Sequence, residues 1–325
     1  MAKAEQIKAL VRCHADGDDK RFYAVAMQVA AQAARNGQGN FAQELKELVD
    51  QAKASATEVR FPNPVPLVQP RGELADLLTV TYPKTRLADM ALATKLRESL
   101  GRVVREQRQR DRLRSHGFAP MRKLLLVGPP GTGKTMTASA LSGELGLPLF
   151  QIRLDGLITK FLGETAAKLR LVFEAIHNTR GVYLFDEFDA LGSQRSANND
   201  VGEIRRVLNS FLQFLEQDDS DSLIIGATNY VNLLDQALFR RFDAVFEYGH
   251  PSSSIAIEVM QARLALLDLD SVDWSTIAHA AHDLSHADLT RACEQAAKAA
   301  LLDETTMLKT EELIVALEER RAMRP

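Results

Sequence analysis

The chain has 325 residues, enough for two or three domains with hydrophobic cores of their own. Its 40 basic and 43 acidic residues give a formal net charge of -3, so no overall field draws the protein to nucleic acid or to a membrane. No uninterrupted apolar stretch is long enough to cross a bilayer, and the two cysteines, Cys13 and Cys293, lack the spacing of a metal site. We therefore expect a cytoplasmic protein without a disulfide framework.

Residues 1–56 are predicted to form an N-terminal helical domain, because they are rich in alanine and contain no proline. Breaks that contain Gly and Asn, at residues 14–19 and 35–40, divide this region into two or three helices. A segment of this length barely holds a core alone, so we expect it to bind a substrate or another protein partner. Residues 57–84 are predicted to be a linker, since the stretch 60–72 contains four prolines and favours extended geometry.

A long helix is predicted over residues 85–116, and an alternation of short apolar runs with helical patterns begins at residue 123. The runs that have the character of buried strands lie at 123–127, 148–153, 181–185, 222–227 and 244–248. The alternation predicts an α/β domain over residues 85–250, with a parallel sheet sandwiched by helices and a ligand site at the carboxyl ends of the strands. Residues 251–325 lack strand patterns and predict a small domain of about four helices.

The stretch GPPGTGKT, residues 128–135, fits the phosphate-loop pattern G-x-x-x-x-G-K-S/T. Its glycines let backbone N–H groups turn inward around phosphates, Lys134 reaches the outer phosphates, and the Thr135 hydroxyl helps to hold Mg²⁺. The apolar run before it and the helical pattern after it supply the strand and the helix that such a loop requires. The predicted nucleotide-binding residues are Gly128, Pro129, Pro130, Gly131, Thr132, Gly133, Lys134, Thr135 and Met136.

Two adjacent acids, Asp186 and Glu187, follow the apolar strand pattern in GVYLFDEFDA, residues 181–190. In this architecture they face the phosphates, where Asp186 is expected to hold Mg²⁺ together with Thr135. Glu187 is expected to polarise the water that attacks the nucleotide. Neighbouring acids of this kind are costly to bury without a function, so we predict that the enzyme hydrolyses its nucleotide.

Three motifs in this order, GPPGTGKT, LFDEFD and SLIIGATNYVNLLDQALFRRFD (222–243), resemble the ATPase core of AAA+ proteins. Within that group they resemble the AAA clade, which includes the meiotic-type severing and disassembly ATPases. The resemblance covers roughly residues 85–305. It implies ATP as the fuel, bound with Mg²⁺, and a ring, usually a hexamer, whose sites lie between subunits.

The resemblance also implies roles for single residues. Asn229, in GATN, matches the sensor that positions the attacking water. Arg240 and Arg241, in LFRRFD, match the arginine fingers that act on the ATP of the neighbouring subunit. A planar cation suits this role, because it matches the spread charge of the phosphoryl transition state.

The C-terminal helices correspond in this family to a lid over the nucleotide. LSHADL, residues 284–289, resembles a lid motif whose usual form is Ser-Gly-Ala-Asp, with His286 in place of the glycine. Ala287 stands where other AAA+ branches place a sensor arginine, and both residues are expected to contact ATP. GFAP, residues 117–120, matches the segment that packs against adenine.

The segment TKFLGE, residues 159–164, matches the central pore loop of the family, which would grip an extended polypeptide. The pore-loop residues are Lys160, Phe161, Leu162 and Gly163. The polar segment 192–203 lies where a second pore loop would be, and Arg195 within it is expected to contact a neighbouring subunit.

A metal site at His279, His282 and His286 is not expected. Ser285, with Asp288 three residues later, predicts a new helix start that interrupts a common helical face.

Three hypotheses for the function remain open. The first is a remodeller that engages a polypeptide in its central pore to unfold, thread or disassemble it. The second is a regulatory ATPase that switches a separate effector enzyme such as a protease, since the N-terminal helices could dock a partner. The chain contains no hydrolase signature such as HExxH or GxSxG, so any proteolysis would belong to that partner. The third is a nucleic-acid-handling ATPase, suggested by six arginines within residues 102–114, although interleaved acids and helical spacing argue for a solvated helix.

Overall fold

The structure is a computed structural model, and the chain divides into two compact units, Met1–Pro64 and Val65–Pro325. The residues that it describes are Ala26, Ala30, Gln43, Val49, Pro70, 72–157, 162–187, 201–229 and 239–323, without the side chains of 162–163 and 201–206. In the first unit the four described residues are helical, and Ala26, Ala30 and Val49 are buried. The predicted breaks at 14–19 and 35–40 lie outside the described residues.

A six-stranded sheet forms the centre of the second unit. Its strands are β1 (Leu78–Thr81), β2 (Lys123–Val127), β3 (Leu149–Ile152), β4 (Val182–Phe185), β5 (Leu223–Thr228) and β6 (Ala244–Glu247). Their spatial order is β1-β3-β4-β5-β2-β6, with β1 antiparallel to β3 and every other pair parallel. The predicted α/β class is therefore confirmed, and the five predicted strands appear within one or two residues of their expected bounds.

The first strand differs from the sequence prediction. A short helix, α1 (Glu73–Leu77), and β1 both lie within the range 57–84 that was assigned to a linker. Leu78 of β1 pairs with Ile152 of β3 and is buried, so the chain adds an antiparallel edge strand to the sheet before the rest of the domain begins. A four-residue strand next to prolines gives too short a pattern to predict.

Helices cover both faces of the sheet. Those around the sheet are α2 (Thr94–Arg108), α3 (Arg110–Ser115), α4 (Lys134–Leu145), α5 (Leu154–Leu157), α6 (Leu162–Asn178) and α7 (Val201–Gln217). No helix among the described residues is long and apolar enough to cross a membrane.

The prediction of one continuous helix over 85–116 was wrong. A short 3-10 helix at Leu87–Asp89 and an extended Met90 precede α2, and the chain breaks again at Gln109 between α2 and α3. Met90 and Leu92 are buried in the core from a non-helical segment, so apolar residues at helical spacing there serve packing rather than a helix.

The alternation of side chains along β2 builds a separate core on each face of the sheet. Leu125 and Val127 belong to a cluster with the aromatic rings of α6 and α7, whereas Leu124 and Leu126 belong to a cluster with α2 and α4. β2 is thus buried on both faces, as expected for a central parallel strand.

Four further helices with their own hydrophobic cluster follow the sheet. They are α8 (Ser253–Arg263), α9 (Trp274–Ala280), α10 (His286–Leu302) and α11 (Thr310–Ala322). α10 begins with the predicted cap: the Ser285 hydroxyl accepts from Asp288 N, and Asp288 accepts from Ser285 N. The predicted break in a common histidine face is therefore confirmed, and the described residues contain no cluster able to hold a metal ion.

Candidate ATP site

The phosphate loop lies between the carboxyl end of β2 and the start of α4. Gly128, Gly131 and Gly133 all have positive φ, at 151°, 73° and 100°, which residues with a side chain rarely adopt. A Cβ atom on Gly128 would also lie 2.2 Å from the carbonyl oxygen of Tyr248, which follows β6. The glycine pattern therefore follows from backbone conformation and from the close approach of a neighbouring strand.

Lys134 is buried, and its amino group donates hydrogen bonds to three oxygen atoms of the site. Nζ donates to the carbonyl oxygens of Gly128 at 2.7 Å and Pro129 at 2.8 Å, and to Oδ1 of Asn229 at 2.8 Å. Asn229 directly follows β5, the neighbour of β2 in the sheet. The fold thus brings the predicted sensor to the predicted phosphate-binding lysine, although 95 positions separate them in the sequence.

The acids lie at the end of β4, as predicted. The Thr135 hydroxyl donates to Oδ2 of Asp186 at 2.7 Å, so the two predicted Mg²⁺ ligands are already in contact. Glu187 has φ 51° and donates its backbone N–H to Oδ1 of Asp186 at 3.0 Å. A left-handed conformation at a non-glycine residue stores strain and is typical of functional turns.

A cavity of about 620 Å³ opens beside these acids, between the ends of β1, β3 and β4. Asp186, Glu187 and Asp155 supply its negative charge, and Arg153 is the cation in its lining. Arg153 lies 3.9 Å from Asp155 as an exposed ion pair. The carboxylates therefore face an open space in which water or an additional positive group can reach them.

The start of α10 lies against the phosphate loop. The backbone N–H of Ala287 donates to the carbonyl oxygen of Gly131 at 3.0 Å, and a Cβ atom on Gly131 would meet the Ser285 hydroxyl at 2.7 Å. His286 Nε2 lies 3.2 Å from the carbonyl oxygen of Ala91. Ala287 thus lies next to the phosphate loop, while the contact of His286 and Ala287 with ATP stays a prediction.

The two ring nitrogens of His286 differ in their contacts. Nδ1 is buried without a hydrogen-bond partner among the described residues. Burial lowers the pKa of the imidazole, and the nearby His250 lowers it further, while the contact with Ala91 opposes the shift. The neutral ring therefore presents one nitrogen that has no partner in the described part of the chain.

Two contacts of the site have no sequence motif. Met90 lies beside the loop, since its Cε would be 3.6 Å from a Cβ atom on Gly133. The Tyr248 hydroxyl lies 2.7 Å from the Thr137 hydroxyl in a buried contact between β6 and α4. Both residues look like ordinary core positions in the sequence, and the tertiary fold alone identifies them.

The two arginines lie at the amino ends of the strands, opposite the carboxyl ends where the phosphate loop lies. Arg240 and Arg241 lie four and three residues before the start of β6, whereas the phosphate loop follows the parallel strand β2. A five-residue strand is about 16 Å long, so an arginine at the amino edge lies too far away to reach the phosphates of its own subunit. The structure therefore does not bring these arginines together with the other predicted catalytic residues.

The remaining predicted residues are placed only in part. Lys160, Phe161 and Arg195 lie outside the described residues. Leu162 and Gly163 are the first two residues of α6, and the side chain of Met136 is exposed at the start of α4. Pro130 and Thr132 lie in the loop, where the Thr132 hydroxyl donates to the carbonyl oxygen of Pro129 at 2.8 Å.

Comparison with known proteins agrees with this geometry. The model of the ATPase family associated with various cellular activities (AAA) matches residues 124–250, which include the loop, the acids and the arginines. A protein of Sinorhizobium fredii, described as an uncharacterized AAA family ATPase y4kL, is 33% identical over 325 residues, covering 100% of this chain and 97% of that protein.

Two longer relatives match over part of their length. The ATP-dependent zinc metalloprotease FtsH 3 of Sphaerobacter thermophilus is 32% identical over 253 residues, which are 75% of this chain and 52% of the protease. The proteasome-activating nucleotidase of Methanococcus maripaludis is 33% identical over 208 residues, 62% of this chain and 51% of the relative. The chain thus spans about half the length of these two proteins. From the end-to-end match, the family model and the phosphate loop with its adjacent acids, we conclude that the chain belongs to the AAA family of ATPases and hydrolyses ATP.

Proposed function

We propose that this ATPase forms a ring, of six subunits as in the family it resembles, and remodels a polypeptide engaged in the central pore by unfolding, threading or disassembling it. The observation that carries the proposal is the position of Arg240 and Arg241 at the edge of the sheet opposite the phosphate loop. Arginines there can serve only the ATP of another copy, so a complete site requires two subunits. Contacts between two different edges of a subunit generate a closed ring when their rotation closes.

We assign the hydrolytic roles within this scheme as follows. Lys134 and the loop amides hold the phosphates, and Glu187 polarises the attacking water while Asn229 positions it. ATP would replace the carbonyl and amide oxygens that now accept hydrogen bonds from Lys134. Arg240 and Arg241 of the adjacent copy supply positive charge to the transition state.

Mg²⁺ fits the oxygen donors of this site. The Thr135 hydroxyl and the Asp186 carboxylate lie 2.7 Å apart at the phosphate loop, and hydroxyl and carboxylate oxygens are the ligands that Mg²⁺ prefers. Bound with ATP, the ion would neutralise charge on the outer phosphates.

We further propose that His286 and Ala287 report on the nucleotide. Ala287 is tied to Gly131 through its backbone, and the buried Nδ1 of His286 can accept a hydrogen bond from the nucleoside. The lid helices would thereby sense whether the loop is filled.

The substrate role rests on the pore loop, whose residues Lys160, Phe161, Leu162 and Gly163 precede or begin α6. α6 packs between β4 and α7, and its core residues Leu169 and Val172 are fully buried. A loop rooted in a rigid helix can transmit force to a bound chain.

Two of the relatives favour a second candidate. One is an ATP-dependent protease and another is a nucleotidase that activates the proteasome, so ATP use in both is linked to protein degradation. The second candidate is a regulatory ATPase that switches a separate effector such as a protease.

The arginines of α2 and α3 give little support to nucleic-acid binding, since Arg108 pairs with Glu144 at 2.9 Å and Arg114 pairs with Asp221.

One experiment separates these candidates. The Glu187→Gln variant is expected to bind ATP but to lose hydrolysis by about 10²- to 10⁴-fold, because the polarising base is absent. It is purified from its native host with ATP and Mg²⁺, and retained proteins are identified by mass spectrometry. A retained polypeptide that is lost in the Glu187→Gln/Phe161→Ala double variant supports pore engagement.

Tyr82→Ala provides the matched control, since Tyr82 is an exposed aromatic residue directly after the edge strand β1. In an otherwise native background, Phe161→Ala is expected to hydrolyse ATP and to lose remodelling, whereas Tyr82→Ala retains both. A partner that stays bound without Phe161 favours the regulatory candidate, and full remodelling by Phe161→Ala refutes the threading proposal.

A further inference from the structure

The two adjacent arginines were assigned the same role from the sequence, but their surroundings in the structure differ. Arg240 has an exposed side chain and makes no hydrogen bond or ion pair with the described part of the chain. Arg241 is only 29% exposed, and its Nε lies 2.8 Å from Oε1 of Glu216, as an ion pair rather than an aligned hydrogen bond. One arginine is therefore held within its own subunit while the other is not.

We propose that Glu216 is a positioning residue: it holds Arg241 in its own subunit, so that Arg240 alone is presented to the phosphates of the neighbouring subunit. The inference rests on the proposed trans-acting role of the arginine pair and narrows it: Arg240 keeps the contact with the phosphates of the neighbouring subunit, and Arg241 is kept out of that contact.

The support for Glu216 comes from a rigid helix end. Glu216 lies in the last turn of α7, and the residues on either side of it are fixed to the sheet. Lys123 Nζ donates to the carbonyl oxygen of Leu215, and Arg122 forms an ion pair with Asp218, whose side chain is only 3% exposed. The contacts on both sides of Glu216 fix the point from which its side chain extends, and the carboxylate, on a side chain 52% exposed, reaches Arg241 from there.

The segment after Arg241 is fixed as well. Phe242 is buried in the core next to Gly226 of β5, where a Cβ atom would lie 3.3 Å from its ring. Asp243 accepts from the backbone N–H groups of Arg122 at 2.8 Å and Lys123 at 2.9 Å. Phe239 also packs against this core, and its carbonyl oxygen accepts from Phe242 N at 3.4 Å, so the exposed Arg240 side chain extends from a backbone that is restrained on both sides.

The charges of this edge lead to the same assignment. Three cations, Arg122, Lys123 and Arg241, face three carboxylates, Glu216, Asp218 and Asp243. Arg240 adds a positive charge that no acid in the described residues neutralises. A group that must stabilise charge in another subunit keeps its strength only if its own subunit does not neutralise it.

The test compares steady-state ATP hydrolysis by the full-length protein. Glu216→Gln removes the charge and keeps the shape, and is expected to lower kcat about 10- to 100-fold with KM for ATP unchanged, because a displaced catalytic group costs rate rather than binding. Glu216→Asp is expected to recover part of the loss. The double variant Glu216→Gln/Arg241→Gln is expected to be no slower than Arg241→Gln, since both changes break the same contact.

The matched control is Glu294→Gln, which removes the ion pair with Arg263 on α8 and α10, away from the sheet edge. It is expected to retain wild-type kcat. Wild-type kcat in Glu216→Gln, or independent losses that multiply in the double variant, would overturn the assignment. Arg240→Lys shows which proposal has failed. If the Arg240→Lys variant has full ATPase activity, the arginine-finger role is refuted, and this inference is refuted with it. If Arg240→Lys is inactive while Glu216→Gln is fully active, only the role of Glu216 is refuted.

Discussion

At the scale of single residues, Lys134 stabilises the phosphate loop to which it belongs. Lys134 carries three N–H donors, and three oxygen acceptors lie within 2.8 Å of Nζ. A buried ammonium group without such partners would be strongly destabilising. These three hydrogen bonds therefore hold the amino group of Lys134 against the loop and the end of β5.

Cys293 gives a residue-scale prediction about chemical reactivity. Burial raises the pKa of its thiol to about 12, opposed by Arg263. Because only the thiolate reacts, the raised pKa makes the reactive form of Cys293 rare below pH 9. In a Cys13→Ser background, alkylation by iodoacetamide at pH 8 is expected to be slow in the native protein and fast in urea.

The same thiol has a defined effect on stability. The folded-state pKa is raised, so the thiol does not change the free energy of unfolding well below the unfolded pKa of 9.0, and it lowers that free energy as the pH rises from 9.0 towards 12. In the alkylation experiment, a Cys13→Ser/Cys293→Ser variant is the control for reaction of iodoacetamide with other residues. Equal alkylation rates in the native and unfolded chains would contradict the burial of Cys293.

At the scale of elements, β6 closes tightly over the start of the phosphate loop. A Cβ atom on Gly128 would overlap the backbone of Tyr248, which cannot move without disturbing β6 and the contact between Tyr248 and Thr137. Gly128→Ala is therefore expected to weaken ATP binding at least 10-fold and to lower the thermal midpoint. Both effects follow from one steric cause, combined with the positive φ at this position.

The measurements are a fluorescent-nucleotide titration and thermal unfolding without nucleotide. Gly249→Ala is the matched control, because a Cβ atom there would meet nothing within 4 Å. Normal nucleotide affinity in Gly128→Ala would show that β6 yields easily and that the close approach is not required.

The elements also explain what the sequence could predict. The strands β2 to β6 are short apolar runs with local patterns, so they were predicted correctly, and the phosphate-loop motif lies between a strand and a helix as its pattern requires. β1 was missed because its partner Ile152 lies more than 70 positions after Leu78, and pairing of that range leaves no local pattern. The continuous helix was predicted wrongly because buried residues in an extended segment happened to have helical spacing.

The site follows the same division. Lys134, Asp186 and Asn229 belong to motifs that specify chemistry, and the fold brings them together at one edge of the sheet. Met90 and Tyr248 touch the loop through tertiary packing alone, and no spacing in the sequence marks them. The difference between Arg240 and Arg241 was likewise invisible, because it depends on Glu216 at the end of a separate helix.

At the scale of the whole molecule, the separation of the phosphate loop from the arginines predicts complementation between defective subunits. Lys134→Ala lacks a working loop, and Arg240→Ala lacks the group donated to a neighbour, so each protein alone is expected to be inactive. In mixed rings, an Arg240→Ala subunit keeps an intact loop and can receive Arg240 from a Lys134→Ala subunit. Hydrolysis is expected to recover to about a quarter of the wild-type rate at equal proportions, the share of adjacent pairs in the productive order.

The assay mixes the two purified variants and measures ATP hydrolysis against the mixing ratio. A Lys134→Ala/Arg240→Ala double variant mixed with Lys134→Ala is the control, since no subunit then has an intact loop. Absence of recovery in rings shown to contain both variants would mean that Arg240 acts within its own subunit or has no catalytic role.

The strand order also governs when the site can assemble during synthesis. β2 lies between β5 and β6, both of which are translated later. At roughly 5–20 residues per second, the stretch of about 100 residues that separates β2 from β5 takes roughly 5–20 s to leave the ribosome. During that interval the apolar KLLLV segment has neither neighbour, and such a segment is prone to aggregation. The nascent chain is therefore expected to need a chaperone, and ATP cannot assist its folding until Asn229 and Tyr248 have emerged.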